Sequence, residues 1–492
     1  MGASSARLQR RINRALGRGI TTRACERPPL STFHHSGRHG TQPPIRDSVV
    51  SRVSTPEPLP GQLAAVARRA DSPRTTPGPE RPSVKAALAA VASAGPGAAL
   101  YVPSGRYRVA ALSLTRQPVR VWGDGETSVL VGAPSGPILS LTDCPVVEMK
   151  SLGFGAALSG TGGDYALLEV ATCADVSLTR LRVEGSGGDG VDVRSCDGID
   201  IADCTFTKAA RYGLRVRDNP TLSRHRRIHH CVTADNGQHG FLLQRIVGFD
   251  VEANLVLRNR SMGIHATDGC DWLRVLHNRC SANGTSPLEH VAYILQCRGV
   301  VAHANSSFGN AGDGILLREC NDSVAANNIC ADNHRHGMSI QGIDGGVVDA
   351  FVACGNIALR NTEHGLAATG ISRALYGANL VADNTRFGLA GYAGPARALS
   401  QLAFASNLAL DNRQGAVLVA GAQSAAVVGN VVAITAGGNV PALALKDFEG
   451  HQIQVARTLA NVEMAGPSAP ATRDLRGMGN MIEHLSSDAP VH

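Results

Sequence analysis

The sequence predicts an all-β solenoid, a stack of short parallel coils, and three observations predict it. Asn recurs in pairs at constant spacing: Asn254/Asn259, Asn278/Asn283, Asn305/Asn310, Asn328/Asn333, Asn356/Asn361, Asn379/Asn384 and Asn407/Asn412. Gly usually follows each pair and opens an alternating apolar strand. Its register runs Gly190, Gly213, Gly240, Gly263, His290, Gly314, Gly337, Gly365, Gly388 and Gly415, which is 225 residues in nine steps, a mean period of 25. Runs long enough for helices with a 3.6-residue period are missing from these repeats. A fixed phase at this period marks stacked supersecondary units.

Within a coil the pattern reads as two or three strands of about four residues separated by turns. Equivalent positions in successive coils stack about 4.8 Å apart. Stacked Asn amides then hydrogen-bond along the pile. Gly at the strand entrance is expected to supply φ > 0 for a tight turn. With 55 Gly in 492 residues and only 4% aromatics, the composition suits many turns around a narrow aliphatic core.

The elements follow in order. Residues 1–82 hold 14 Arg, no Lys and 5 acidic residues, a net +9; the rest has 33 basic and 35 acidic residues, a net −2. The tail is rich in Pro, Ser and Arg and reads as disordered. No apolar h-region follows Arg10-Arg11, so no signal peptide is recognised, and no run is long enough to span a membrane. Residues 83–440 form the solenoid domain. Ser83 to Gly95 reads as an amphipathic capping helix with a Ser start and a Gly stop. Ala99-Leu-Tyr-Val-Pro-Ser-Gly-Arg-Tyr-Arg-Val109 reads as the first strand segment. Residues 441–492 lose the repeat and read as a C-terminal cap and tail.

A capping helix followed by Val-Pro-x-Gly-x-Tyr resembles the entrance of the pectin-lyase-like superfamily of right-handed parallel β-helices. Coils such as Asn236-Gly-Gln-His-Gly-Phe241 resemble those of its mannuronan C5-epimerase-like members. The resemblance implies a right-handed parallel β-helix with an N-terminal capping helix. It also implies a carbohydrate-active protein of the extracellular space or cell envelope. The epimerase-type Asp-Pro-His motif is absent, since Leu-Arg-Val-Arg follows Tyr212-Gly213. The carboxylate set of polygalacturonase-like hydrolases is missing as well. No active site transfers residue by residue.

The cysteines share the solenoid phase. Cys173, Cys196, Cys270, Cys297 and Cys320 follow the Gly column, and Cys280 and Cys330 follow the first Asn. They read as reduced thiols in the core rather than as disulfides or metal ligands. No cofactor or metal is expected.

Alternation after Gly sends residues in and out by turns. The outward columns read Asp192, Arg215, Leu242, His265 and Arg194, Arg217, Gln244, Thr267, with Arg318 further on. The column before Gly reads Asp189, Tyr212, His239, Met262, Glu289, Asp313, His336, His364. Charged and hydrogen-bonding groups mark these positions in the coils from 190 to 341, and mostly apolar or small ones those after 365. Such a strip suits an acidic polysaccharide, because Arg binds carboxylates bidentately. Uronate lyases and epimerases both begin by removing the C5 proton once the carboxylate is neutralised. The expected catalytic groups are His239, Tyr212 and His265, with His239 as base and Tyr212 as acid, or the reverse. The expected substrate contacts are Asp192, Arg194, Arg215, Arg217, Gln244 and Arg318. The alternative is a non-catalytic surface β-helix that binds glycan or protein. A monomer without nucleic acid is expected, since the positive charge is confined to the tail.

Overall fold

The computed structural model describes residues 99–465, except 110, 133–135, 157–162, 220, 222–225, 286–291, 343–347, 395–398, 435–442, 447–454 and 460–461. The expected capping helix and the basic tail lie outside these residues.

Short strands wind into a right-handed parallel β-helix with three sheets, of fifteen, fifteen and fourteen strands. Every third strand in sequence joins the same sheet, and all pairings are parallel and in register. A right-twisted strand that returns to a parallel neighbour favours the right-handed path. No described residue is α-helical.

Two Asn columns hold one side of the stack. The first runs Asn254, Asn278, Asn305, Asn328, Asn356, Asn379, Asn407, Asn430. The second runs Asn236, Asn259, Asn283, Asn310, Asn333, Asn361, Asn384, Asn412. In each rung, one Asn donates its backbone N–H and its Nδ2–H to the Oδ1 of the Asn in the next coil. Asn305 makes these bonds to Asn328 at 2.9 and 3.0 Å. Its Nδ2 also donates to the Val275 carbonyl at 2.7 Å. A buried amide is thus satisfied on both sides. Thiols extend the first column backwards: Cys231 N–H donates to Asn254 Oδ1 and Cys204 N–H to Cys231 Sγ.

A left-handed residue precedes each ladder Asn. Asp235, Arg258, Ala282, Asp332, Arg360, Asp383 and Asp411 have φ between 48° and 60° ahead of the second column. Such a conformation costs an L-residue about 1–2 kcal/mol, and the amide ladder offsets it. In all but one coil the corner between the first and second sheets consists of two residues, as between Leu276 and Arg279 or Ala326 and Ile329. The exception is Asp124–Thr127; the other changes in coil length fall at the other two corners.

The Gly column has a different cause from the one expected. Among its described members only Gly415 has positive φ, at 143°. Gly190, Gly213, Gly240, Gly314, Gly337, Gly365 and Gly388 sit where the next coil crosses closely. A Cβ on Gly337 would lie 2.6 Å from the Gly365 carbonyl oxygen and 2.8 Å from Asn361 Nδ2. Close backbone approach, rather than turn geometry, selects Gly here.

The core is one continuous column of Val, Ile, Leu, Phe and Cys. Ten of the eleven described cysteines are buried, Cys354 is half-buried, and all are free thiols. Burial pushes the Cys280 thiol up to about 12, so it stays protonated. The described strands also pass residue 440, where the repeat signature ends. Leu443–Lys446, Val455–Leu459 and Val462–Ala465 each extend one sheet. This stretch has neither Asn pair nor Gly column, which hides it from pattern reading.

Candidate active site

Strands of the third sheet carry the expected residues. Asp192 and Arg194 lie on Asp189–Arg194, Arg215 and Arg217 on Leu214–Asn219, Gln244 on Phe241–Ile246, and His265 on Ile264–Thr267. Their registers match, Asp192 beside Arg215 and Arg194 beside Arg217. Tyr212 and His239 occupy the turns that lead into two successive strands.

The turn residues and His265 form a ring stack. Tyr212 and His239 lie parallel, with centroids 5.2 Å apart and planes 9° apart. His265 meets His239 edge-on at 4.7 Å. The Arg211 and Arg215 guanidiniums lie 5.0 and 5.9 Å from the Tyr212 ring centre. Such distances give cation–π attraction.

The hydrogen bonds fix the tautomers. Met262 N–H donates to His239 Nδ1 at 3.2 Å. Burial lowers His239 to about 3, so the ring is neutral near pH 7 and carries its proton on Nε2. That proton goes to His265 Nδ1, 3.2 Å away. His265, also held neutral by burial and lowered to about 4, then keeps its own proton on Nε2. The pair is a two-ring hydrogen-bonded chain that ends on His265 Nε2–H, an atom buried from solvent.

Around the stack the charges are mostly paired. Arg217 clasps Asp192 with two bonds of 3.1 and 2.8 Å. Arg215 donates Nε and Nη2 to Gln244 Oε1 at 3.2 and 3.0 Å. Its nearest carboxylate oxygens are 3.9 Å away on Asp189 and 4.0 Å on Asp164. Gln244 passes its amide to Asp268 at 3.2 Å. Arg194 is exposed. Arg318 lies four coils from Arg217, roughly 19 Å at the usual strand spacing, and is not part of this cluster.

Two members were not read from the sequence as site residues. Asp189 is buried below Tyr212, whose N–H it accepts at 3.4 Å. Arg211 Nε lies 3.3 Å from its carboxylate. Burial raises Asp189 to about 6 against the pull of Arg211 and Arg215. Asp164 pairs with Arg211 on the other side and is held below the usual carboxylate range. A carboxylate in the turn column with an Arg just before the next turn was the available signal.

The column also has a structural task. Asp189, His239, Asp313, His336 and His364 each accept the backbone N–H of the residue one coil ahead. A histidine here therefore stabilises a turn whatever else it does.

Residues 161–283 match a family model described as the right handed beta helix region. The ring stack lies inside this segment. Among solved structures, the A-module of mannuronan C-5 epimerase AlgE4 of Azotobacter vinelandii is 15% identical. The likeness covers 84% of this chain and 99% of that one, with a TM-score of 0.38. The periplasmic alginate epimerase AlgG is 14% identical over 72% of this chain and 78% of its own, TM-score 0.39. The catalytic unit of the GH87 alpha-1,3-glucanase of Streptomyces thermodiastaticus is 12% identical over 81% and 69%, TM-score 0.41. No curated protein matches by sequence. Among the described residues no helix is long and apolar enough to cross a membrane.

Proposed function

We propose that the chain is a carbohydrate-active β-helix protein acting on an acidic, uronate-containing polysaccharide by lyase or epimerase chemistry. The observation that carries this reading is the stack Tyr212–His239–His265 with two arginines against the phenol.

The chemistry follows from the proton positions. Arg217 is committed to Asp192, whereas Arg215 has only distant carboxylates. Arg215 is therefore the group that neutralises the substrate carboxylate and acidifies C5. Neither nitrogen of His239 has a lone pair to offer, because Nδ1 accepts an amide and Nε2 bears the proton. Tyr212 is then the base. Arg211 and Arg215 place positive charge where its phenolate forms. In a lyase, the C5–H bond breaks to Tyr212, a C4–C5 double bond forms, and the C4–O bond breaks. The phenol so formed gives that proton to the leaving oxygen and returns to phenolate, while the neutral His239–His265 pair holds the Tyr212 ring in place. In an epimerase, a solvent proton is delivered to the opposite face of C5, and Tyr212 releases the proton it took to solvent.

A non-catalytic binder of the same polymer is the second reading. The bond from Met262 N–H to His239 favours it, since it gives the ring a reason to exist without chemistry.

The test uses the full chain and a panel of uronate polysaccharides. Ultraviolet absorbance reports unsaturated ends, and NMR reports inversion at C5. The reading expects one of these products, abolished by Tyr212→Phe with melting unchanged. Binding without any product selects the second reading. Wild-type turnover in Tyr212→Phe removes the phenol from the mechanism.

A further inference from the structure

The chain has two Trp, Trp122 and Trp272, and both are exposed. Trp122 lies on Val119–Gly123 of the first sheet, directly beside Tyr101 on Leu100–Val102. The two are 44% and 47% exposed, whereas Phe206, Phe241 and Tyr376 are fully buried. A strand face open to water gains nothing from a neighbouring Trp and Tyr, and such a pair marks a surface that something else covers.

The outward row continues from Trp122 to Lys150 and Thr179 on the next two coils, about 4.8 Å per step. Arg180 follows Thr179 at the corner. Lys150 and Arg180 are exposed, and neither makes an ion pair or a side-chain hydrogen bond among the described residues. Elsewhere on this sheet exposed arginines are clasped by an Asp one coil away, Arg227 by Asp200 and Arg274 by Asp250. Two unclasped cations beside two bare rings depart from that pattern. A cleft of about 480 Å³ opens among Arg120, Trp122, Glu148, Lys150, Ser151 and Arg180. Within it Arg120 Nε lies 3.5 Å from Glu148. The Tyr101 hydroxyl donates to Asp124 Oδ1 at 2.6 Å, so what Tyr101 offers a ligand is its ring.

These groups name a ligand chemistry. The C–H face of a sugar presents hydrogens to the negative face of an aromatic ring. Lys150 and Arg180 attract carboxylates. Glu148 accepts sugar hydroxyls and repels the phosphates of a nucleic acid. Residues 83–492 carry a net −2, so the cations are a local feature and not a share of a basic surface.

We propose that Tyr101, Trp122, Lys150 and Arg180 form a non-catalytic docking surface for an acidic polysaccharide, with a sugar ring against Trp122 and its carboxylate toward Lys150 and Arg180. That this polymer is the one processed at the ring stack rests on the functional reading above. Arg180 and Asp189 belong to one coil, so the surface ends where the stack begins, on the first sheet rather than the third.

The experiment follows tryptophan emission of the full chain carrying Trp272→Phe, which leaves Trp122 as the only indole. Oligogalacturonate and oligomannuronate are added, with calorimetry in parallel. The expected result is a saturable change in Trp122 emission. Trp122→Ala should weaken binding about tenfold. Lys150→Ala and Arg180→Ala should each weaken it about threefold and flatten its salt dependence. The three side chains are exposed, so melting should not change. The full Trp122 response without turnover keeps the surface and removes only the chemistry. Oligomers that bind without changing Trp122 emission, or variants that bind as the wild type does, overturn the surface and leave the functional reading standing. An equal response to neutral dextran, or a tighter one to single-stranded DNA, also overturns it. Self-association that Trp122→Ala abolishes assigns the face to a second copy of the chain and overturns it as well. A wild-type chain that binds no acidic oligomer overturns both.

Discussion

His239 shows how one residue carries two duties. Its Nδ1 accepts the Met262 N–H, and its Nε2 feeds His265. His239→Ala leaves that N–H without an acceptor and is expected to cost about 1–3 kcal/mol. Asp performs the same duty at positions 189 and 313 in this column. His239→Asn should therefore recover most of the melting temperature and none of the turnover. Thermal unfolding beside product formation separates the two duties, and equal stability of both variants would refute the first. The buried rings also set a pH response. His239, His265 and His364 sit at about 3, 4 and 2 in the folded chain, against 6.5 when unfolded. Below 6.5 the unfolded state binds protons that the folded state refuses, so stability falls with pH. Asp189 acts the other way: at about 6 against 3.8, it binds a proton first in the folded chain and favours folding as pH drops between these values. Three histidines outweigh one carboxyl. Denaturant midpoints should be level above about pH 7 and fall from there towards pH 4. The shared column of Tyr212 and His239 was legible from spacing alone. The tautomers were not, because they depend on which backbone N–H meets which ring nitrogen.

At the scale of the element, the Asn ladder was the most legible feature, because each amide needs the same phase as its neighbours. Asn328 shows what one rung is worth. Its Oδ1 accepts two donors from Asn305, and its own donors reach Asn356. Asn328→Ala should cost about 1–3 kcal/mol for each donor left without an acceptor. Urea unfolding would measure it, and a loss below that range would mean water enters the rung. Spacing also named a Gly column but gave it the wrong cause, since sequence shows neither φ nor the approach of the next coil. Arg318 was grouped with Arg217 because both alternate outward; alternation fixes a face and says nothing of distance along the stack. Asp189 and Arg211 were passed over for the opposite reason. Neither repeats in every coil, so only their burial and proximity mark them.

At the scale of the molecule, the thiols report on the whole stack. Eleven described cysteines are free, and only Cys354 is less than fully buried. A thiol reagent should find few groups in the native protein. It should find all twelve of the sequence after denaturation without reductant. Because the core is one cluster, the buried thiols should become reactive together rather than coil by coil. A graded release would show that the stack opens in separable segments, as repeat arrays can. Few thiols in both states would mean disulfides and contradict the structure.

The two-residue corner between the first and second sheets gives the solenoid something like a bound spine, with the other two corners as loose page edges. Apart from the Asp124–Thr127 corner, extra residues enter at the loose edges, and every rung of the spine keeps its register. The loose edges can then differ from coil to coil while strand register from Leu100 to Ala465 stays the same. Coil length and stacking are in this sense edited separately, and an exchange of residues beyond Gln341 or Tyr392 is expected to leave the stacking of the chain intact.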